Sequence, residues 1–239
     1  MFTPQWFSLG GMRCSPLNAA LYLIMRNKMK LCEYLEMQQD DIVFAFNNSG
    51  RFPVGLSSIN SFPNVVKRED HHVMYDPRVR NKKAFIRKYN GKYEYWVDIS
   101  YTRYRKAFLN FIEEYYGVDL KEVSSGFDAD HILNRVYAKK FGVKYVRMCL
   151  IASLQNQSYG RQFEKNMANI DQSKRSIFLM DYLCAMKVMG VPIPKSFSEY
   201  QSKKSEIIRL LKSKGVVFHY LEAEEELDYY FKEWMIFRK

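Results

Sequence analysis

Apolar residues recur every three or four positions in several segments of the chain, and this spacing predicts helices. The first segment begins at Ser15, a plausible N-cap, followed by Pro16, which suits the first helical position. Gly190 and Gly215 mark the ends of two later segments. The predicted helices cover residues 14–38, 103–117, 159–170, 173–190, 198–215 and 222–237.

Shorter runs rich in β-branched and aromatic residues predict strands. They cover residues 41–46, 93–100, 143–153 and 216–220, whereas residues 57–83 read as loop-rich. Together these elements predict an α+β fold with a mainly helical second half. A boundary is suggested near residue 100, between an α+β region (residues 1–100) and a mainly helical region (residues 101–239).

Composition supports a folded protein with a polyanionic partner. The chain has 239 residues, 47% of them hydrophobic, and a formal charge of +11. Nucleic acid is the first partner that this charge favours, and an anionic membrane surface is the second. No window approaches 18 uninterrupted apolar residues, so no membrane span is expected, and no secretory signal is visible. The four cysteines form no CxxC pair, which argues against a zinc ribbon or finger. Cys149 and Cys184 lie in apolar runs and are interpreted as small core residues, which favours a reducing compartment.

Basic residues concentrate in residues 78–92, which hold seven Lys and Arg and no acid. Phe85 and Tyr89 are interleaved with the cations, as on a nucleic-acid-binding surface, although a solvated hairpin face is an equal alternative. The residues expected to bind nucleic acid are Lys82, Lys83, Arg87, Lys88, Arg103, Arg105, Lys139 and Lys140.

Candidate chemistry concentrates in residues 127–135, FDADHILNR. Hydrolysis of a phosphodiester needs a base to activate water, a cation to stabilise charge, and positioning of the substrate. Here Asp130 and His131 are adjacent, the apolar strand 143–153 follows, and Asn156 and Gly160 lie near the start of the next helix.

In that order, residues 125–168 resemble the HNH, or His-Me finger, nuclease superfamily, especially the nuclease domains of bacterial polymorphic toxins. The resemblance implies a short strand–strand–helix finger of the ββα-metal kind. It also implies that His131 is the general base, that Asp130 and Asn156 bind Mg²⁺ or Mn²⁺, and that Glu164 is a supporting carboxylate.

The residues themselves add further candidates. Arg135 and Arg161 are candidate phosphate clamps, because a guanidinium group can bind two phosphate oxygens. Asp128 would share a strand face with Asp130, which makes it an alternative metal ligand. The competing interpretation is that Asp128 or Asp130 caps a helix beginning at Ile132.

The predicted function is a metal-dependent nuclease acting on DNA or RNA, of the toxin or effector kind. Such a protein would act in a cytoplasm, reach it through a dedicated secretion system, and have a cognate immunity protein as a further partner. The alternative function is a non-catalytic, basic nucleic-acid-binding protein. The adjacent His71 and His72 would point in opposite directions on a strand and could not easily bind one metal ion. They are therefore interpreted as part of an exposed loop.

Overall fold

The computed structural model describes residues 8–9, 12–13, 29–49, 53–64, 72–89, 91–124, 126–160, 174–216 and 220–235. In these segments the helices are α1 (Leu31–Ser49), α2 (Tyr104–Tyr116), α3 (Leu120–Val123), α4 (Arg135–Lys140), α5 (Ser153–Tyr159), α6 (Tyr182–Val188), α7 (Phe197–Ser213) and α8 (Tyr220–Met235). The strands are β1 (Ser8–Leu9), β2 (Met12–Arg13), β3 (Pro53–Leu56), β4 (His72–Tyr75), β5 (Ala84–Tyr89), β6 (Lys92–Asp98), β7 (Phe127–His131), β8 (Tyr145–Ala152) and β9 (Ile177–Leu179). Two short 3₁₀ helices cover Ile59–Asn64 and Arg80–Lys82.

The main sheet is antiparallel and is organised around β8. Its strands follow the order β4-β5-β6-β8-β3-β9, and β7 pairs with the second half of β8, while β1 and β2 form a separate pair. The apolar run of β8 is buried along seven of its eight residues, as expected for a strand covered on both faces. Strands from both sides of residue 100 are hydrogen-bonded neighbours in this sheet, since β8 pairs with both β3 and β6.

Helices cover the two faces of β8 with separate apolar clusters. Cys149 and Ile151 belong to the larger cluster, which includes residues of α5, α6, α7 and α8. Met148 and Leu150 belong to a second cluster with α1 and α2. The protein is therefore a mixed α/β structure, which confirms the predicted combination of helices with a sheet.

Helix α1 corrects one prediction. Residues 41–46 were predicted to form a strand, but they continue α1, so that prediction is wrong. Tyr34, Gln38 and Ile42 are buried at a spacing of four residues, which is helical periodicity. The Gln38 side chain also pairs with the sheet: its Nε2 donates to the carbonyl of Leu150 over 2.9 Å, and its Oε1 accepts from the Leu150 amide over 2.8 Å.

The other predicted elements compare as follows. Helices 103–117, 198–215 and 222–237 are confirmed as α2, α7 and α8, and strands 93–100 and 143–153 as β6 and β8. The helix predicted over 173–190 is wrong in its first half, because residues 177–179 form β9 and Asp181 caps the shorter α6. Residues 14–28, 161–173 and 217–219, which include parts of other predicted elements, lie outside the described residues. In the described part of the chain, no helix has the length and apolar character needed to cross a membrane.

Candidate active site around strand β7

The FDADH segment forms strand β7 and does not cap a helix. β7 pairs antiparallel with β8, with Asp130 opposite Cys149 and His131 opposite Met148. The next helix, α4, is capped by Asn134, whose side chain accepts hydrogen bonds from the amides of residues 136 and 137. The interpretation of Asp128 or Asp130 as helix caps is therefore wrong.

Alternation along β7 separates its polar side chains between two faces. Ala129 and His131 are buried, whereas Asp128 and Asp130 are partly exposed. The buried face packs against α2, as the contact of His131 with Tyr104 shows. The two carboxylates thus lie on the face opposite the imidazole.

Asp128 is held by two neighbours. Arg105 of α2 donates from Nη1 to Oδ1 of Asp128 over 2.8 Å, and Asn156 of α5 donates from Nδ2 to Oδ2 over 3.3 Å. Burial alone would raise the pKa of Asp128, but the hydrogen bonds from Arg105 and Asn156 and the charge of Arg105 hold this pKa below its usual value. Asp128 is therefore an anion at neutral pH, and it contacts the amide that was predicted to be a metal ligand.

Asp130 is paired with a lysine that the sequence analysis did not identify. The Nζ atom of Lys187 lies 2.6 Å from Oδ2 of Asp130, with the lysine side chain 4% exposed and the aspartate side chain 19% exposed. Lys187 is the one charged residue in α6, whose seven residues are all buried. A buried cation in an otherwise apolar helix needs a charged partner, so Lys187 within its apolar run was the sequence signal that such a partner exists.

His131 is enclosed by its surroundings. The residue is 3% exposed, and its ring centroid lies 4.3 Å from that of Tyr104. Its Nε2 atom is buried and has no hydrogen-bond partner among the described residues. Burial lowers the pKa of His131 to about 4, with Arg135 and Lys187 acting in the same direction and Asp130 opposing them. The ring is therefore neutral at pH 7.

Asn156 lies inside α5, because this helix begins at Ser153. It does not cap the helix, and its side chain reaches back to β7. Arg161 and Glu164, two further predicted site residues, lie outside the described residues, as do His71 and His219. His72 is exposed on β4.

The basic segment 78–92 is partly neutralised within the protein. Lys83 bonds to Asp98 over 2.9 Å. Arg87 is 2% exposed, pairs with Glu94 over 3.1 Å, and so does not belong to an exposed basic surface. The Arg87 side chain is buried because its guanidinium group, on β5, packs over the rings of Phe62 and Tyr89.

Other basic candidates remain at the surface. Lys82, Lys88, Arg103, Arg105 and Lys139 are exposed, while Lys140 is half-buried. Arg135, predicted as a phosphate clamp, is also exposed, and its guanidinium carbon lies 5.3 Å from the ring centroid of Tyr104. Arg105 thus contacts β7 directly, whereas Arg135 contacts the Tyr104 ring that packs against His131.

Among the described residues, no group of three or more His, Cys, Asp or Glu side chains is arranged to hold a metal ion. Comparison of the chain with protein-family models, with curated proteins and with solved structures gives no match to any of them.

Proposed function

We propose that the protein is a metal-dependent nuclease that hydrolyses phosphodiester bonds of DNA or RNA at the exposed edge of β7. The observation that supports this proposal is the 3.3 Å contact between Asn156 and Asp128. It joins a helix residue to an acid on a strand that ends in a histidine, and the paired strand β8 leads directly into that helix. This order of strand, strand and helix is the one on which the resemblance to HNH nucleases depends.

The donor atoms fit a hard cation at Asp128 and Asn156, but not at Asp130. Mg²⁺ needs one or two carboxylates and retains several waters, so a small set of protein oxygens suffices. Asp128 supplies a carboxylate, and a half-turn of the Asn156 amide would present its oxygen beside that carboxylate. Both carboxylates already face a cation, Asp130 the buried ammonium group of Lys187 and Asp128 the half-exposed guanidinium group of Arg105. Only Arg105 has room to turn away and leave its carboxylate to a metal ion. The chemistry supplied by such an ion is Lewis-acid stabilisation of charge on the phosphoryl oxygens.

His131 is the proposed general base. A base must be unprotonated before it accepts a proton from water, and the lowered pKa keeps the imidazole neutral at pH 7. Its unpaired Nε2 is the atom able to accept that proton, and a buried polar atom without a partner is uncommon enough to need an explanation. Because the imidazole and Asp128 lie on opposite faces of β7, the proposal requires that the substrate reaches both around the edge of β7 that pairs with no described strand, and that Tyr104 moves to let water reach Nε2.

Arg105 and Arg135 are the proposed phosphate-binding residues. The Arg105 side chain is half exposed while it bonds to Asp128, so it can contact a phosphate beside that carboxylate. Arg135 contacts the Tyr104 ring, which covers His131, so its guanidinium group could bind a phosphate near the proposed base. Within this proposal, a toxin role in a cytoplasm and an immunity-protein partner stay predictions from the resemblance.

A cleavage assay tests the proposal. Plasmid DNA and total RNA are incubated with the protein in Mg²⁺ or in EDTA, and cleavage is expected in Mg²⁺ only. Asp128→Ala and Asn156→Ala should each lower the rate by about 100-fold or more, because they remove the ligands for charge stabilisation. Exposed Asp40 on α1 is the matched control, and Asp40→Ala should cleave at the wild-type rate. Equal activity of the Asp128→Ala and Asp40→Ala variants would refute the assigned site.

A second function, non-catalytic binding of nucleic acid, is favoured by one observation, the near-complete burial of His131. It predicts that the protein retains labelled nucleic acid in a gel-shift experiment but cleaves none in either Mg²⁺ or EDTA. If His131 is instead the base, His131→Ala should lower the cleavage rate by about 10²–10⁴-fold.

A further inference from the structure

Helix α2 carries its charges in the reverse of the favourable order. Arg103, Arg105 and Lys106 lie at its N-terminal end, and Glu113 and Glu114 lie in its last turn. The helix dipole favours acids at the N-terminus and bases at the C-terminus, so this distribution costs stability at both ends. Arg78 pairs with Glu114 at the C-terminal end and Asp128 pairs with Arg105, but at the N-terminal end Arg103 and Lys106 form no salt bridge with another described residue. An anionic ligand bound at the N-terminal end of α2 would offset the loss of stability that these cations cause there.

An aromatic ring lies among these cations. Tyr104 is half-buried, with one contact to the His131 ring and another to the Arg135 guanidinium group. Lys139 is exposed and follows Arg135 by four positions on α4, so the two project from the same side of that helix. We call Arg103, Tyr104, Lys106, Arg135 and Lys139 the Tyr104 surface.

We propose that the Tyr104 surface binds single-stranded nucleic acid, with an unpaired base stacking on Tyr104 and the flanking phosphates on the four cations. This inference rests on the proposed nuclease function and names its substrate class. Aromatic rings flanked by cations bind single strands, because only unstacked bases offer a free face, whereas bases within a duplex already stack on each other. The His131 ring, with its orphaned Nε2, packs against Tyr104, so a base that takes the place of Arg135 over Tyr104 would bring the strand towards the proposed general base.

The experiment measures binding without turnover. A fluorescently labelled 12-nucleotide strand is titrated with protein in EDTA, as DNA, as RNA, and as the matching duplex, and anisotropy gives Kd at several salt concentrations. Both single strands should bind more tightly than the duplex, and the tighter of the two identifies DNA or RNA as the preferred class. Tyr104→Ala should weaken single-strand binding by about 10- to 100-fold, whereas Tyr104→Phe, which keeps the ring, should bind like the wild type.

Charge variants locate the surface. Each phosphate contact on a single strand contributes about 0.7 to the slope of log K against log salt, so Arg103→Gln/Lys106→Gln should lower that slope by up to about 1.4. Arg209 and Lys212 form a matched pair, an exposed Arg and Lys three positions apart on α7, and Arg209→Gln/Lys212→Gln should leave the slope unchanged.

Two results would overturn the inference. One is tighter binding of the duplex together with wild-type affinity of Tyr104→Ala. The other is an unchanged slope for the α2 pair together with a lowered slope for Lys82→Gln/Lys88→Gln, which would move the surface to the basic segment 78–92. Failure of the proposed function looks different: single strands would bind the Tyr104 surface, but Mg²⁺ would produce no cleavage.

Discussion

The pair formed by Asp130 and Lys187 should be important for stability and, as a pair, dispensable for cleavage. The two groups are 2.6 Å apart, and Lys187 is almost fully buried. Breaking a buried ion pair by removing one partner typically costs about 3–5 kcal/mol, and the partial exposure of Asp130 places this pair near the lower value, about 3 kcal/mol. Asp130→Asn and Lys187→Met each remove one charge while keeping most of the side-chain shape.

The double variant separates the two roles. If the charges stabilise each other, the double variant Asp130→Asn/Lys187→Met should lose about 3 kcal/mol or less of its free energy of unfolding. This is well below the sum of the losses of the two single variants, and the difference is a coupling energy of about 3 kcal/mol. Urea denaturation measures all four free energies of unfolding. The exposed pair Glu199–Lys203 on α7 is the control, and Glu199→Gln/Lys203→Met should show no measurable coupling, because water screens both charges.

Activity of the same variants tests the assignment of the metal ligands. Because Asp128 and Asn156 are the proposed ligands, the double variant should retain Mg²⁺-dependent cleavage. Additive losses of stability would refute the coupling between the charges. A well-folded double variant without cleavage would instead identify Asp130 as a ligand, and the assignment to Asp128 would then be wrong.

Three further predictions concern the fold around the site. His131, with a folded pKa of about 4 against an ordinary value of 6.5, binds its proton only in the unfolded state between these pH values. The free energy of unfolding therefore has its full value above pH 6.5 and decreases as the pH falls towards 4, by on the order of 3 kcal/mol in total. Urea denaturation at several pH values should show a smaller decrease for His131→Phe than for the wild type. Gln38→Leu should lower the free energy of unfolding by about 1–3 kcal/mol for each backbone group of Leu150 that loses its hydrogen bond. Hydrogen exchange of the Leu150 amide should become faster, and unchanged exchange would contradict this account. Gly55→Ala would place a methyl group 2.9 Å from a Val143 side-chain carbon. Thermal unfolding should therefore show that the free energy of unfolding falls by about 1–3 kcal/mol. A stability equal to that of the wild type would show that the neighbouring side chains can move aside.

Elements with a strong local pattern were predictable from the sequence. Helix α2 buries Phe108, Phe111 and Ile112 at helical spacing and ends at Gly117, whose φ of 69° is the left-handed conformation that glycine favours. By contrast, the short apolar run over residues 41–46 suggested a strand, although Ile42 continues the buried stripe of α1 and Phe44 lies exposed on the same helix. Two periodicities fitted that short run, and packing against the sheet decided between them.

The site was predictable only in part, for the same reason. The order of strand, strand and helix could be read along the chain, and the opposite directions of Asp130 and His131 follow from strand alternation. The partner of Asp130 lies 57 residues away, and the residue whose ring covers His131 lies on a helix that precedes β7. Lys187 in an apolar run signals the need for a partner, but nothing local identifies which residue that partner is or which ring covers the histidine, so the burial of His131 could not be inferred.

The central position of β8 has a consequence for the order of folding. β3 and β6 are not neighbours, and the strand that lies between them and pairs with both is β8, which comes about 50 residues or more later in the chain. During synthesis, β4, β5 and β6 can pair as a local meander, whereas β3 cannot pair with β8 until residue 146 has left the ribosome. Closing such loops before their contacts form is slow, so pulse-labelled hydrogen exchange should show protection in β5 and β6 before β3. A protein split at residue 100 would therefore regain its sheet only when both fragments are mixed.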